Sequence, residues 1–439
     1  MKLLSNAAVV AVLTGFCTLA AHAAEPAEEA FGWHGQATYV WQAKPTMRAA
    51  YDGPNSLAAA REKSYSFTAT AALGARLWRG AELYFNPELV QGVPLSGLTG
   101  LGGLSNGELQ KTAGSNPVLY RARFFLRQNW ALDGASESVA SAFNQLGGAQ
   151  APRRVVLTVG NLAVSDIFDN SAFAHDARSQ FINWALLTHG HYDFAADSRG
   201  YTNGAALEWI EHEWTLRGGR FAVPRESNGL ELDKSLLQHY GDQVELEHRH
   251  RLADREGAVR LLLFRNVERM ARFDDALAEA ARSGLAPELA GVRRLQSKIG
   301  WGLAAEQGLS ETLGGFVRVG RHDGATEPYS FASIDNAASA GLVWRAAAWQ
   351  RAADELGFAF ASNGLSASHR RFLAAGGSDF FIGDGRLRYG REFLIEAFYS
   401  AALSHGIKLT LDLQHISNPA YNRDRGPVRF IALRLHAEL

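Results

Sequence analysis

The sequence predicts a single transmembrane antiparallel β-barrel of about sixteen strands, an all-β fold with short helices in its loops. Three observations support this fold class. The chain begins with an export signal, segments that alternate apolar and polar residues recur along it, and its last residues lie within such a segment. An open sheet leaves its terminal strand with an unpaired edge, whereas a barrel pairs the last strand with the first.

Residues 1–23 have the pattern of a cleaved signal peptide. Lys2 supplies the positive start, residues 7–20 are apolar, and Ala21-His22-Ala23 is a small-x-small cleavage site. Cleavage also removes Cys17, the only cysteine. We therefore expect a mature chain without disulfides.

The composition leaves two classes of exported protein open. The chain has 439 residues, 47% hydrophobic and 20% charged, which suits several soluble domains or one large barrel. No apolar run after the signal is long enough for a membrane-spanning helix, and a formal net charge of −1 gives no attraction to nucleic acid. We predict a short leader at residues 24–33 and one barrel domain at 34–439, with a soluble periplasmic β protein as the alternative.

Strand-like segments recur along the chain, with turns rich in Gly, Asn, Asp and Pro between them. In chain order the predicted strands are His34–Gln42, Ser64–Trp78, Ala81–Gln91, Val118–Trp130, Arg153–Asn161, Gly200–Glu211, Glu213–Val223, Gly241–Leu252, Ala258–Val267, Gln296–Gly308, Thr312–His322, Ala337–Trp349, Glu355–Ser362, Tyr389–Leu403, Ile407–Ile416 and Val428–Leu439. Each is a weak signal alone, but regular recurrence indicates an all-β chain. Sixteen is an even number within the range of bacterial outer-membrane barrels.

The last two segments show the two faces of such strands most clearly. Strict alternation predicts one row of residues toward lipid and one toward the lumen. The predicted lipid-facing row is Ile407, Leu409, Leu411, Leu413, Ile431, Leu433 and Leu435, and the predicted lumen residues are Lys408, Asp412 and Gln414. Aromatic residues near strand ends suit an interfacial girdle; they include Trp33, Trp78, Tyr120, Trp130 and Trp209.

Three connections are longer than turns. Residues 94–116 indicate an extended surface loop, residues 166–199 predict helical stretches around 172–187, and residues 274–281 form a short helix by propensity. Barrels of this kind have long loops on one side, and some of those loops fold inward to narrow the pore.

Motifs for catalysis or metal binding are weak. Gly103-Leu104-Ser105-Asn106-Gly107 matches the G-x-S-x-G elbow of hydrolases, but it lies in a Gly-rich loop instead of between a strand and a helix. His189 and His191 lack the further ligand that a zinc site needs, so exposed or interfacial histidines are the simpler interpretation. We therefore predict no catalytic residue, no metal and no cofactor.

Charges on the polar faces are the strongest functional signal. A soluble sandwich would have to turn them to bulk water, whereas a barrel provides water inside. The residues predicted to line the pore are Arg121, Arg123, Arg127, Asp166, Asp169, Asn170, Glu245, Glu247 and Arg249. Two charged walls of this kind can bind sugar hydroxyls across a constriction. Alternatively, the charges only neutralise each other in a wet interior.

Several long stretches resemble one known family. They are His34-Gly35-Gln36-Ala37-Thr38-Tyr39-Val40, Glu82-Leu83-Tyr84-Phe85-Asn86-Pro87-Glu88, Gly97-Leu98-Thr99-Gly100-Leu101-Gly102-Gly103, Tyr120-Arg121-Ala122-Arg123, Gly160-Asn161 with Asp166-Ile167-Phe168-Asp169-Asn170, and Asn418-Pro419-Ala420-Tyr421-Asn422. Together they are similar to the carbohydrate-selective porin family of Gram-negative outer membranes, over essentially the whole mature chain. The resemblance implies a sixteen-stranded barrel that passes glucose and similar sugars by passive, saturable diffusion, with arginines and acidic residues at the eyelet. One departure is Leu439, where such barrels usually end in Phe or Trp.

The predicted function is a sugar-selective porin of the bacterial outer membrane and not an enzyme. We expect as partners carbohydrate solutes (glucose-like mono- or disaccharides), outer-membrane lipid and lipopolysaccharide, and the barrel-assembly machinery, with no nucleic acid. A monomer and a homotrimer are both open. The alternatives are a general or organic-acid porin on the same barrel and, further off, an outer-membrane hydrolase that uses Ser105.

Overall fold

The computed structural model describes residues 28–109 and 114–439. Sixteen strands form one closed antiparallel barrel, which confirms the predicted fold class. They are β1 (Phe31–Lys44), β2 (Glu62–Trp78), β3 (Ala81–Val93), β4 (Val118–Ala131), β7 (Arg153–Leu162), β8 (Thr202–Glu211), β9 (Trp214–Phe221), β10 (Tyr240–Leu252), β11 (Arg255–Met270), β12 (Arg294–Gly308), β13 (Leu313–His322), β14 (Asn336–Arg345), β15 (Glu355–Gly364), β16 (Glu392–Ser404), β17 (Ile407–Ser417) and β18 (Val428–Glu438). A separate hairpin, β5 (Glu137–Val139) and β6 (Gly148–Gln150), lies in the turn between β4 and β7. The predicted signal peptide and residues 24–27 of the leader lie outside the described residues.

Most connections at one end of the barrel are short turns, and those at the other end are long loops; the exception is residues 132–152 between β4 and β7, which lie at the short-turn end. Between β10 and β11, Ala253 and Asp254 have φ of +48° and +60°, as a type I′ hairpin turn requires. Between β16 and β17, Gly406 has φ of +75°, and an added Cβ there would press on the Glu438 carbonyl. In outer-membrane barrels the short turns are periplasmic and the long loops extracellular.

The barrel closes between its first and last strands. β1 and β18 pair from Gln36 opposite Glu438 to Ala43 opposite Ile431. Leu439 and Gly35 exchange two backbone hydrogen bonds of 2.8 and 3.1 Å. Closure therefore does not depend on a terminal aromatic ring.

The outer face of the barrel is apolar, and its aromatic residues lie near strand ends. In β17 and β18 the predicted lipid-facing residues are exposed by between 38% (Ile407) and 48% (Leu413). Trp33 and Trp78 are 60% and 57% exposed, which suits the predicted girdle. Tyr120 is an exception, because it lies on the inner face and its hydroxyl donates to a buried carboxylate of β3.

Two long loops fold into the barrel. The loop between β3 and β4 buries Leu95, Leu101 and Leu104, so the prediction of an extended surface loop at residues 94–116 is wrong. The loop between β7 and β8, residues 163–201, carries much of the largest apolar cluster in the described chain. We call residues 163–201 the inner loop. Its burial shows that this segment folds into the barrel, a point that the sequence left open.

The helices are short and lie in loops. The inner loop contains α1 (Trp184–Leu187), so the helix predicted around 172–187 is present only at its C-terminal end. α2 (Phe273–Ser283) confirms the helix predicted at 274–281, and α3 (Ala367–Ala374) was not predicted. Among the residues that the structure describes, no helix combines the length and apolar character needed to cross a membrane.

A buried ionic cluster ties three long loops together. His369 of α3 lies between Asp335, 3.2 Å from its Nδ1, and Asp379, 3.0 Å from its Nε2. Its ring stacks on Phe273 of α2 with 4.2 Å between centroids. Burial disfavours the charged imidazole, but the two carboxylates outweigh burial and raise the pKa of His369 to about 9. The long-loop end of the barrel is therefore held as one connected layer.

Candidate functional site

The inner loop narrows the barrel by packing against its inner wall. Phe168 meets Phe221 of β9 edge to face, with 6.1 Å between ring centroids. Phe181 meets Phe316 of β13 at 5.9 Å and Phe398 of β16 at 5.0 Å. Such pairs add to the free energy gained by burying the rings. The loop is therefore a packed layer on the wall from β9 to β16.

Glycines on the inner wall make room for two histidines of the inner loop. A Cβ on Gly302 of β12 would stand 2.6 Å from Nε2 of His189, and a Cβ on Gly320 of β13 would overlap the His191 ring. Both histidines are 2% exposed, so the prediction of exposed or interfacial histidines is wrong. The described part of the chain contains no group of three or more His, Cys, Asp or Glu suited to a metal ion.

Arg318 of β13 is the main polar anchor of the inner loop. Its side chain is 2% exposed and donates to Asp169 Oδ1 at 3.0 Å, to the Leu186 carbonyl at 2.9 Å and to the Ala174 carbonyl at 2.7 Å. Asp169 in turn accepts from the backbone N–H of His189 at 2.7 Å. The planar guanidinium thus fixes three separate points of the loop. Asp169, predicted to line the pore, is instead buried beneath this anchor.

Alternating charges cross the inner wall from β8 to β12. Arg217 of β9 donates to Glu208 of β8 at 2.9 Å and to Glu247 of β10 at 3.2 Å. Arg260 of β11 donates to Glu247 at 2.7 Å and to Glu306 of β12 at 2.9 Å. We call these five residues the charge ladder. Each buried charge has at least one opposite partner, as burial requires.

Glu245 and Glu247 do not face open water, contrary to the prediction. Both are 1% exposed. Glu247 belongs to the charge ladder, and Glu245 accepts from Arg217 at 2.9 Å and from the backbone N–H of Asp169 at 2.8 Å. The inner loop covers these carboxylates, so here the alternative interpretation holds and the charges neutralise each other.

A β-bulge removes Arg121 from the lumen. The pairing of β3 with β4 shifts register between Asn86 and Pro87, and Ala122 is fully buried. Arg121 therefore points to the outer face, where its guanidinium lies 5.9 Å from the ring centroid of Phe124. The prediction that Arg121 lines the pore is wrong, because it assumed unbroken alternation through an extra residue.

Arg123 and Asp166 form an ion pair where the inner loop leaves the wall. The guanidinium binds both carboxylate oxygens, at 2.6 and 2.7 Å. The two side chains remain 13% and 28% exposed. The ring of Tyr201 lies 5.2 Å from the guanidinium carbon. Charged donors and acceptors that keep contact with water can bind the hydroxyl groups of a sugar.

The remaining predicted residues lie toward the short-turn end. Arg127 donates to the Asn144 carbonyl at 2.8 Å. Asn170 and Arg249 border a cavity of about 1000 Å³ between the inner loop and the short turns. The Arg249 side chain is 67% exposed, and Glu306 of the charge ladder forms part of the same wall. We call this cavity the vestibule.

Sequence reasoning missed Arg178, the partner of two buried carboxylates. Arg178 of the inner loop donates to Glu108 at 2.8 Å and to Glu88 of β3 at 3.0 Å. These carboxylates are 8% and 0% exposed. Glu88 alternates with apolar neighbours along β3, which was a signal for an inward charge. Nothing in the sequence indicates that its partner lies 90 residues further along the chain.

Among the residues that the structure describes, Ser105 has no activating partner for nucleophilic catalysis. Its hydroxyl donates to the Gln42 side-chain carbonyl at 2.8 Å, and its backbone carbonyl accepts from Gln42 at 3.1 Å and from Gln414 at 2.8 Å. A serine nucleophile needs an adjacent base, and an amide is not one. The geometry therefore does not support a hydrolase that uses Ser105.

A closed barrel that is apolar outside, charged inside and narrowed by a folded loop defines a porin-type channel. The family model described as "Carbohydrate-selective porin, OprB family" matches residues 55–439. The chain belongs to this family of carbohydrate-selective porins. It is accordingly a sugar-selective channel of the outer membrane, which makes it a channel rather than an enzyme by class.

Solved structures share the fold. The high-pH structure of Pseudomonas putida OprB has a TM-score of 0.72 and 15% sequence identity, and the match covers 93% of this chain and 94% of that chain. The low-pH structure of Pseudomonas putida OprB has a TM-score of 0.50 and 12% identity, with 93% of each chain covered. At these identities the likeness concerns the fold alone. The sequence matches none of the curated proteins with which it was compared.

Proposed function

We propose that sugars cross between the β4 wall and the inner loop, and that the Arg123–Asp166 pair is the polar contact at the constriction. The supporting observation is that this pair bridges wall and loop while both side chains keep contact with water. The carboxylates of Glu245 and Glu247, in contrast, are covered by the loop. A sugar hydroxyl can exchange water for a charged donor or acceptor at little net cost, so the solute binds weakly and moves on.

The vestibule continues this path toward the periplasm. Its volume of about 1000 Å³ lies at the upper end for small-molecule sites, and suits glucose-like mono- or disaccharides with their hydration water. Asn170 and Arg249 are the predicted pore residues that border it. Arg127 lies on the same strand as Arg123, toward the short-turn end of the barrel.

The pairing of charges favours neutral sugars over organic acids. The positive charge of Arg123 is matched by Asp166 at bonding distance, so the pair presents hydrogen-bonding groups without a net charge. A channel for organic anions needs positive charge that is not already compensated. We therefore place the general or organic-acid porin second.

Export and assembly follow the usual route for an outer-membrane barrel. Residues 1–23 would be cleaved during export, and the assembly machinery would insert the barrel among outer-membrane lipid and lipopolysaccharide. No catalytic residue or cofactor is assigned. A monomer and a homotrimer are both compatible with the barrel.

The experiment is single-channel recording in planar bilayers with glucose, maltose and glucuronate. Arg123→Ala removes a charged hydrogen bond, typically about 1.5–3 kcal/mol, so the concentration of neutral sugar that halves the current should rise about tenfold or more. Asp166→Asn keeps the shape of the side chain but leaves the positive charge of Arg123 uncompensated. It should therefore increase block by the anion glucuronate. The control is Arg282→Ala, an arginine on α2 with a 74% exposed side chain. Unchanged sugar block in both pore variants would contradict the assignment.

A further inference from the structure

The outer wall of the barrel carries a groove at its long-loop end. Its volume is about 450 Å³. Trp301 of β12, Val319 of β13 and Ala338 of β14 line the groove, and Arg321 and Arg391 line it as well. Val319 and Trp301 are 42% and 40% exposed on the lipid-facing side, which places the groove outside the barrel and away from the sugar path.

The two arginines lie at the level where strands end and headgroups begin. Arg321 is the penultimate residue of β13, and Arg391 immediately precedes β16. Arg321 lies on the same face of the strand as Val317 and Val319, two exposed valines, so its side chain points outward. In barrels of this type an outward charge near the midplane is costly, whereas near the interface it costs little. Both arginines therefore occupy positions that suit the outer-leaflet interface.

Neither arginine forms an ion pair with a described residue. Arg391 is instead pre-oriented by neutral acceptors: it donates to the Ser362 hydroxyl at 2.7 Å, to the Asn336 side-chain carbonyl at 2.7 Å and to the Ser362 carbonyl at 2.8 Å. Arg265, an exposed outward arginine on the neighbouring strand β11, likewise bonds a hydroxyl, that of Ser297 at 3.0 Å. In the lumen, by contrast, Arg123 and Arg318 bind carboxylates directly.

The acidic residues that border the groove are already engaged. Asp335 is bound to His369 and to the backbone N–H of Ser366. Asp323 accepts from the backbone N–H groups of Ile299 at 3.1 Å and Ala325 at 3.0 Å. Neither carboxylate forms an ion pair with the two arginines of the groove, whose guanidinium groups therefore remain available at its upper rim above the apolar floor.

We propose that this groove binds the phosphorylated glycolipid of the outer leaflet, lipopolysaccharide, through its lipid A part. Phosphate oxygens accept from the free N–H groups of Arg321 and Arg391, since a guanidinium fork matches phosphate geometry. An acyl chain lies along Val319 and Ala338 beside the Trp301 ring. Basic pockets on membrane proteins recognise anionic headgroups by the same combination of charge and apolar surface. The inference deepens the proposed lipid partnership and is independent of the sugar path.

The test is native mass spectrometry of the detergent-solubilised full barrel titrated with purified lipid A. The wild-type protein should retain one lipid A with saturation, and the double variant Arg321→Ala/Arg391→Ala should bind at least about tenfold more weakly, as expected for lost charged hydrogen bonds. Lipid A from which both phosphates have been removed should not be retained by either protein. Heat-dependent gel mobility checks that each variant is still a folded barrel.

Arg429→Ala is the matched control. Arg429 is an exposed outward arginine at the long-loop end of β18, on a different part of the wall, and its loss should leave the affinity unchanged. An equal loss of lipid A affinity in Arg429→Ala would show that any outward arginine attracts the lipid, and would overturn the assignment of the groove as a specific site. Equal binding of dephosphorylated lipid A, equal binding of phosphatidylglycerol, or a protein–protein dimer broken by the double variant would also overturn it. The outcome of the lipid A titration does not depend on the outcome of the sugar-block experiment.

Discussion

Arg318→Met should release the inner loop from the wall and enlarge the pore. The substitution keeps an unbranched side chain but removes the hydrogen bonds to Asp169, Leu186 and Ala174. It also leaves the Asp169 carboxylate, 1% exposed, without its cation. Breaking one half of a buried ion pair costs about 3–5 kcal/mol. The ratio of docked to undocked loop should therefore fall by roughly a hundredfold to several thousandfold.

The assay is single-channel recording with and without glucose. Arg318→Met should give a larger or noisier conductance than wild type and a weaker sugar block, because the loop no longer holds its position beside the constriction. The second substitution Asp169→Asn removes the orphaned charge, so the double variant should be less disturbed than Arg318→Met alone. A quiet channel of wild-type conductance and sugar block in Arg318→Met, with heat-dependent mobility showing a folded barrel, would refute the anchoring role.

Two further predictions concern the histidines. The folded-state pKa of His369 is raised from 6.5 to about 9, so its ionic cluster stabilises the long-loop layer fully below about pH 6.5 and loses that stabilisation, about 3 kcal/mol, as the pH rises through 9. Proteolysis of residues 365–391 should accelerate between pH 7 and 10 in wild type and not in His369→Gln; a flat wild-type profile would count against the cluster. Gly320→Val should push His191 and the inner loop off the wall and increase conductance, whereas Gly291→Val, at a site where an added Cβ meets nothing within 4 Å, should not; equal conductances would contradict the fit of the ring to the wall.

The barrel could be predicted because the residue pattern of each strand shows by itself which side chains face lipid and which face the lumen. Alternation separates the lipid face from the lumen face within a few residues, without reference to the rest of the chain. Arg318 shows this locally, since it stands between Val317 and Val319, both exposed to lipid, and so must point inward. The number and order of the strands followed from repeating this local rule along the chain.

The bulge at β3 and β4 shows where that rule stops. An inserted residue cannot be recognised in the hydrophobic pattern, so strict alternation assigns Arg121 to the same face as Arg123. One signal was present: Pro87 cannot donate to a sheet ladder and is found inside sheets mainly at edges and bulges. Reading Pro87 as a bulge would have placed Arg121 outside.

The packing of the inner loop was harder to predict because its contacts join distant parts of the chain. Asp169 and Arg318 are separated by 149 positions, and both are isolated charges in the sequence. Glu245 and Glu247 lie on the lumen face of β10, as pore-lining residues would, yet the inner loop covers them. Burial of one segment by another is a tertiary property, and a face assignment alone does not reveal it.

The closure of β1 against β18 also constrains how the protein is made. The Thr38 hydroxyl and Nδ1 of His436 lie 2.8 Å apart although 398 positions separate them in sequence. Until those two strands meet, every partly assembled sheet exposes two unpaired edges that could pair with another chain. Contacts of such long range form slowly, because the intervening chain must first be brought together. A barrel of this design therefore exposes unpaired strand edges until β1 and β18 meet, and the two hydrogen bonds between Gly35 and Leu439 belong to the contact that removes those edges.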